Sequence, residues 1–450
     1  MKKMIKTMLV LASVFVGSEA NAAAFQLAEV SSSGLGRAYA GEAAMVDNAA
    51  VVATNPALMT QFKEKQFSAG GVYVASRVHL DGEVTASLRG NRLAVTSADK
   101  KSVVPGSLLP NMYFVTPIDD HFAVGGGMNV NFGLRSEYHN DYEAGVFGGK
   151  TDLTALNLNL SGAYRVTEGL SAGVGLNAIY AKAEVERRAG IIDTALGNAV
   201  IAYGSSAPPL LRALDTMVEK DTKLTHLQDK AAWAFGWNAG VTYQFNERHR
   251  IGLAYHSKID IDFKDRSALS VQRTANGLNF HTGEGGLTLH LPDYWEFSGF
   301  HQLTDKFAFH YSYKYTIWSR FKELHATYTD GRLAFHKEEQ YRNNSRVALG
   351  TTYYVDDKLT LRAGVAYDES AATTPHASAS IPDTDRIWYS AGATYHVTPN
   401  LSVDFGYAHL RGKKFRFKET QNVGGLLTVE ADYKSKASAN LYGLNLNYRF

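Results

Sequence analysis

Apolar and polar residues alternate with a period of two along most of this chain, which places successive side chains on opposite faces of extended strands. Trp233, Phe235, Trp237, Ala239, Val241, Tyr243 and Phe245 take turns with Ala234, Gly236, Asn238, Gly240, Thr242 and Gln244. Leu170, Ala172, Val174, Leu176, Ala178 and Tyr180 do the same against Ser171, Gly173, Gly175 and Asn177, as do Phe307, Phe309, Tyr311, Tyr313, Tyr315 and Ile317 against His310, Ser312, Lys314 and Thr316. These runs outlast the soluble strand of about five or six residues and match the roughly nine to eleven that a tilted strand needs to cross a bilayer.

The connections sort into two alternating kinds. Short polar turns stand at Ile118 to Asp120, Thr167 to Gly169, Asn246 to Arg248, Leu303 to Asp305, Asp356 to Lys358 and Thr398 to Asn400. Between them lie longer polar or irregular stretches, including Asp81 to Lys101, His139 to Lys150, Arg187 to Thr225, Lys264 to Gly285, Glu369 to Asp385 and Gly412 to Lys436. With one more hairpin across Thr329 to Arg332, the pattern predicts an all-β chain of fourteen antiparallel strands from about Phe67 to Phe450. Tight periplasmic turns, long external loops and an even strand count are the marks of a transmembrane β-barrel. The competing assignment is a large soluble sandwich. The last strand, Tyr442, Leu444, Leu446, Tyr448 and Phe450 against Gly443, Asn445, Asn447 and Arg449, resembles the C-terminal assembly strand of bacterial outer-membrane barrels.

Residues 1–22 read as a secretory signal peptide, with Lys2, Lys3 and Lys6 ahead of an apolar run and Ala20-Asn21-Ala22 at the cleavage site. Cleavage removes three Lys and one Glu, so the formal charge of +2 vanishes and a basic nucleic-acid surface has no support. The 0 Cys exclude disulfides, zinc knuckles and thiol nucleophiles. No motif pairs a nucleophile with a base, so no enzyme, catalytic residue, cofactor or metal is expected. Residues 23–66 are rich in Gly, Ala and Ser and break the strand pattern. A fourteen-stranded lumen has room to hold them as a plug, with the barrel proper at 67–450, because about eight strands already close down to a side-chain-filled interior.

Phe25-Gln26-Leu27, the run Ser31-Ser32-Ser33-Gly34-Leu35-Gly36-Arg37-Ala38-Tyr39 and Asn55-Pro56-Ala57 together resemble the N-terminal hatch of the FadL family of outer-membrane long-chain fatty acid transporters. The similarity continues through Pro110 to Val115, Thr151-Asp152-Leu153, Leu156 to Arg165, Gly236 to Gly240 and Ile381-Pro382-Asp383, and so spans the mature chain. The resemblance implies passive, ligand-gated uptake of long-chain fatty acids or other hydrophobic small molecules. Capture occurs in an external apolar groove, followed by a lumen site and lateral release at a kink in strand three. It assigns the fatty-acid carboxylate to Arg187 and Lys337, and the hatch and its gating to Phe25, Asn55, Pro56 and Ala57. The kink falls to Asn131 and Gly133. Strand three, Phe122 to Tyr138, carries Gly125, Gly126, Gly127 and Gly133, which suit either a bulge or close approach of the plug.

The groove has a counterpart after strand five. Ile192, Leu196, Ala199 and Tyr203, then Leu210, Leu211, Leu214, Met217 and Val218, fall at helical spacing and serve either a groove or packing on the rim. The resemblance further implies a monomer in outer-membrane lipid and lipopolysaccharide, inserted by the barrel-assembly machinery. The alternative is the same fold carrying aromatic hydrocarbons such as toluene; a nonspecific porin fits poorly with a plugged lumen.

Overall fold

A computed structural model describes residues 25–450 apart from 276 and 426; the expected signal peptide, 1–22, lies outside the described residues. Fourteen antiparallel strands close into a barrel. In chain order they are β1 (Gln66–Leu88), β2 (Asn91–Ser97 continuing as Ser107–Pro117), β3 (Phe122–Glu137), β4 (Lys150–Arg165), β5 (Leu170–Arg188), β6 (Lys223–Asn246) and β7 (His249–His256 and Ile259–Thr274). The second half comprises β8 (Gly277–Leu291 and Tyr294–Gln302), β9 (Phe307–Thr316 and Glu323–Tyr328), β10 (Leu333–Glu338 and Asn344–Tyr354), β11 (Leu359–Asp368), β12 (Arg386–His396), β13 (Leu401–Gly412 and Phe415–Val423) and β14 (Leu427–Arg449). β1 and β14 pair in unbroken register from Gln66↔Arg449 to Leu88↔Leu427. That closure removes the sheet edges whose unpaired amides hydrocarbon could not satisfy. No described helix is long and apolar enough to cross a membrane.

The tight turns share one chemistry. The Asp119 and Asp356 carboxylates accept from the amides of Phe122 (2.7 Å) and Leu359 (2.8 Å), while the hydroxyls of Thr167, Thr304 and Thr398 accept from Leu170, Phe307 and Leu401, each at 3.0 Å. A side-chain oxygen at the start of each turn thus stands in for a ladder partner and fixes the hairpin register. The long connections differ from the irregular stretches expected. Asp81 to Lys101, Lys264 to Gly285 and Gly412 to Lys436 are largely hairpin, because β1, β2, β7, β8, β13 and β14 run on beyond the bilayer. Their alternation, Val78, Leu80, Val84 and Ala86 in β1 and Leu427, Val429, Ala431 and Tyr433 in β14, buries one face in an external apolar cluster.

Within the bilayer the alternation sorts the faces. Leu160, Val174, Leu176 and Phe235 point outward, 65%, 65%, 71% and 76% exposed on the isolated chain, while Asn157, Ser161, Ser171, Asn177 and Asn238 are buried facing the lumen. Aromatic contacts ring the turn end at Phe122/Tyr164, Tyr243/Phe245 and Tyr448/Phe450, and recur farther up at Tyr180/Trp233 and Tyr255/Trp295. Such rings suit the two membrane interfaces.

Residues 25–65 fill the lumen as a compact hatch. Helix α1 (Ser32–Leu35) is capped by Ser31, whose hydroxyl accepts from the Gly34 amide at 3.0 Å, and α2 (Val51–Thr54) leads into a 3-10 turn, Pro56–Gln61. Wall and hatch approach at backbone distance where the wall carries glycine. A Cβ on Gly252 would fall on the Ala43 carbonyl oxygen, one on Gly364 on the Arg37 backbone, and one on Gly173 at 2.6 Å from the Ala57 amide nitrogen. The lumen-facing glycines are therefore the negative image of the plug. Gly252→Val is expected to displace the hatch while the barrel still folds. Planar-bilayer recording should show a several-fold rise in small-ion conductance, with unchanged heat-modifiable migration of the barrel.

Candidate lumen site and external groove

The hatch is held by polar contacts. Asn55 is fully buried; its Nδ2 donates to the Ala43 carbonyl (2.9 Å) and to that of Val241 on β6 (3.3 Å), and its Oδ1 accepts from the Ala57 amide (3.1 Å). Pro56 opens the 3-10 turn at a position that has no need of an amide donor. Ser32 donates from amide (3.0 Å) and hydroxyl (2.6 Å) to Asn445 Oδ1 on β14. At the centre, Arg37 pairs with Glu42 at 2.6 Å and with Asp47, and Arg362 of β11 lies 3.7 Å from Asp47. Burial alone would push the Asp47 carboxyl up, but the two guanidiniums bring it down to about 2.

The start of the hatch lies on the expected kink. β3 and β4 pair regularly except between Val130 and Phe132, where Asn131 is the extra residue of a bulge. The Leu27 amide donates to the Asn131 carbonyl and the Gly133 amide to the Phe25 carbonyl, each at 2.9 Å, so a short stretch of hatch strand pairs with β3 at its irregularity. The Phe25 ring packs edge-on against Trp318 (4.8 Å) and Phe321 (5.3 Å). Phe25, Asn131 and Gly133 therefore meet in one place, whereas Asn55, Pro56 and Ala57 anchor another part of the hatch.

Arg187 and Lys337 come together too, lining one cavity of about 240 Å³ with Phe147, Phe335, Ser380 and Glu419. Their surroundings are unlike. The Arg187 guanidinium is buried and donates only to neutral oxygens: Thr151 Oγ1 (3.2 Å), Ser380 Oγ (2.7 Å) and the carbonyls of Lys150 (3.2 Å) and Glu186 (2.7 Å). Lys337 Nζ is engaged by Glu419 Oε1 at 2.6 Å, and the second Glu419 oxygen accepts from the Ala379 amide at 2.9 Å. Glu339, just past the first segment of β10 in an external connection, is fully buried, and among the described residues neither of its oxygens has a hydrogen-bond partner. Burial pushes its carboxyl up to about 8, against the pull of Lys337, so it keeps its proton at neutral pH. Lys337 thus has a carboxylate partner, while among the described residues the Arg187 guanidinium has none within ion-pair distance and is free to meet an anion. Glu339 and Glu419 were not anticipated; glutamates on polar strand extensions look solvated until the fold buries them.

Above this cavity, α3 (Ile191–Tyr203) and α4 (Pro209–Met217) form a second one of about 200 Å³, lined almost entirely by apolar side chains. Ile192, Leu196, Leu211, Leu214 and Val218 are buried and Leu210 is part-buried, all facing it with Leu278 and Leu427 from the hairpin extensions. Ala199 is buried in the same core, so groove and rim packing are one cluster; Tyr203 lines the edge, and Met217, 60% exposed, faces away.

Glu419 is buried and Lys337 part-buried, so removing Lys337 leaves a buried carboxylate without its partner. Lys337→Met is expected to cost about 3 kcal/mol in denaturant unfolding. Lys337→Met/Glu419→Gln should recover most of that loss.

The family model described as "Outer membrane protein transport protein (OMPP1/FadL/TodX)" matches residues 13–450. "Outer membrane protein P1" of Haemophilus influenzae is 60% identical over 463 residues, covering 100% of both chains. The "Long-chain fatty acid transport protein" of Escherichia coli K12 is 41% identical over 456 residues, covering 99% of this chain and 98% of that one. Among solved structures, a Pseudomonas aeruginosa FadL homologue superimposes with a TM-score of 0.78 at 22% identity over 95% of this chain and 99% of its own. The Pseudomonas putida toluene transporter TodX gives 0.61 at 18% identity over 90% and 95%. The two likenesses show the shared fold.

Proposed function

This chain belongs to the OMPP1/FadL/TodX family of outer-membrane transport proteins, whose members are channels for hydrophobic molecules, and we propose that its own cargo is long-chain fatty acids. The carrying observation is the conjunction of an apolar external cavity with a second cavity in which the buried Arg187 guanidinium meets only neutral oxygens among the described residues. An acyl chain gains about 0.8 kcal/mol per buried methylene in the first. Its carboxylate, costly to desolvate, meets charge-assisted donors in the second. Arg187 is the principal anchor and Lys337 the secondary one, since Lys337 must share its charge with Glu419. Release follows when the hatch strand at Phe25 to Leu27 separates from the Asn131 bulge, opening the wall of β3 sideways to lipid. Asn55, Pro56 and Ala57 hold the remainder of the hatch while this happens.

The pairing of Lys337 by Glu419 favours a second reading, a neutral aromatic cargo on the same path, because a paired cation has less need of an anion. In proteoliposomes the intact protein should take up oleate, and Arg187→Ala/Lys337→Ala should lower uptake by roughly ten- to a hundredfold, the loss of one to two charged hydrogen bonds. Uptake unchanged by the double substitution would sink the carboxylate assignment, and uptake of toluene but not oleate by the intact protein would establish the second reading.

A pH dependence has a definite sign. Below about 8, Glu339 is neutral and the site carries its surplus positive charge; above it, ionised Glu339 cancels that charge. Oleate affinity should therefore fall as pH rises through about 8, and in Glu339→Gln it should stay level across the same window. Isothermal titration in detergent measures both.

A further inference from the structure

Two groups of metal-ligating side chains lie on the external strand extensions: Glu184, Glu186 and His226, and Glu323, His325 and His336. In the first, the carboxylates are already neutralised, Glu184 by Lys150 (2.6 Å) and Glu186 by Lys223 (2.8 Å) and Arg188 (2.7 Å). In the second, among the described residues, Glu323 has His336 alone as an ion-pair partner, Oε2 to Nε2 at 2.8 Å. The β9–β10 hairpin sets the geometry. His325 stands directly opposite His336 across the strands, and Glu323 directly opposite Glu338, two residues along on the same face. The imidazole ring centroids are 5.5 Å apart, and one ligand atom from each of Glu323, His325 and His336 lies within 4.8 Å of the others. Like charges placed opposite one another destabilise a ladder. Two facing carboxylates beside two facing imidazoles therefore form an arrangement that a cation relieves.

We propose that Glu323, His325 and His336 bind a divalent transition-metal ion of the zinc class at the external surface, with Glu338 next to the site as a further oxygen donor. Two imidazole nitrogens and a carboxylate are a donor set for zinc and its neighbours; calcium and magnesium require oxygens throughout. The ligands come from paired strands, so the backbone holds them close before the ion arrives, and the shared His336–Glu323 hydrogen bond gives way to metal bonds with small side-chain shifts. Exposure leaves the remaining coordination positions to water. Lys337 lies between His336 and Glu338 on the opposite face of β10, across from Leu324, so the ion would cross-link the hairpin directly behind the lumen cation.

Zinc chloride titrated calorimetrically into the purified full chain in detergent should show one site of roughly micromolar affinity. His325→Ala/His336→Ala should weaken it at least tenfold, as should Glu323→Gln with both imidazoles retained, while His226→Ala leaves it unchanged. Heat-modifiable migration verifies that each variant is folded; the substitutions are on an exposed hairpin face. Absence of saturable zinc binding, equal affinity in the histidine double variant, or loss of the site in His226→Ala would each overturn the assignment.

Discussion

Hydrocarbon offers no hydrogen-bond partner to a peptide group, and every large feature of this chain follows from that constraint. A sheet in lipid must close on itself, and β1 and β14 do so over the full lengths of both strands, Gln66–Leu88 against Leu427–Arg449. Closure at fourteen strands creates a lumen too wide for wall side chains alone to fill. The hatch is the answer to that width. Outward positions take the apolar residues because they meet lipid; inward positions take Asn, Ser, Thr and Gly because they meet hatch backbone.

The contact between wall and hatch is close, and its polar bonds are set among apolar patches such as Phe25 on Trp318 and Phe321. Gly173, Gly252 and Gly364 let hatch backbone approach the wall, and Ser32, Asn55 and Arg37 supply the bonds. The apolar patches add to the hold on the hatch, while the hydrogen bonds exchange partners at a modest net cost, about 1 kcal/mol each when water or another partner substitutes. The bulge at Asn131 matters for the same reason, since it breaks the β3–β4 ladder where the hatch strand is paired.

The external half follows different rules. Strand extensions there bury one face in an apolar cluster, and their few buried charges are costly unless matched. Lys337 is matched by Glu419, Glu339 is neutralised by its own proton, and Arg187 is left among neutral oxygens. The apolar cluster of α3 and α4 lines a separate cavity in this half of the molecule.

Period-two alternation and the rhythm of short and long connections were enough for the strand count, the lipid-facing side and the plug, because each reports a local demand: side chains alternate across a strand, and a tight turn needs Asp or Thr. The helical apolar stripe after β5 was legible for the same reason. Three things required tertiary contacts. The hairpin extensions do alternate, as Leu427, Val429, Ala431 and Tyr433 show, but only the fold reveals that this face is buried against the external helices rather than turned to lipid. The register that bulges Asn131 toward Phe25 depends on pairing between segments far apart in the chain. The electrostatics of Arg187 and Lys337 depend on Glu339 and Glu419, whose burial no local pattern records. Sequence by itself determined which surface meets lipid and that the lumen is filled; only the folded barrel decided which charges are left unpaired inside it, because pairing and desolvation are properties of neighbours that the chain order does not place side by side.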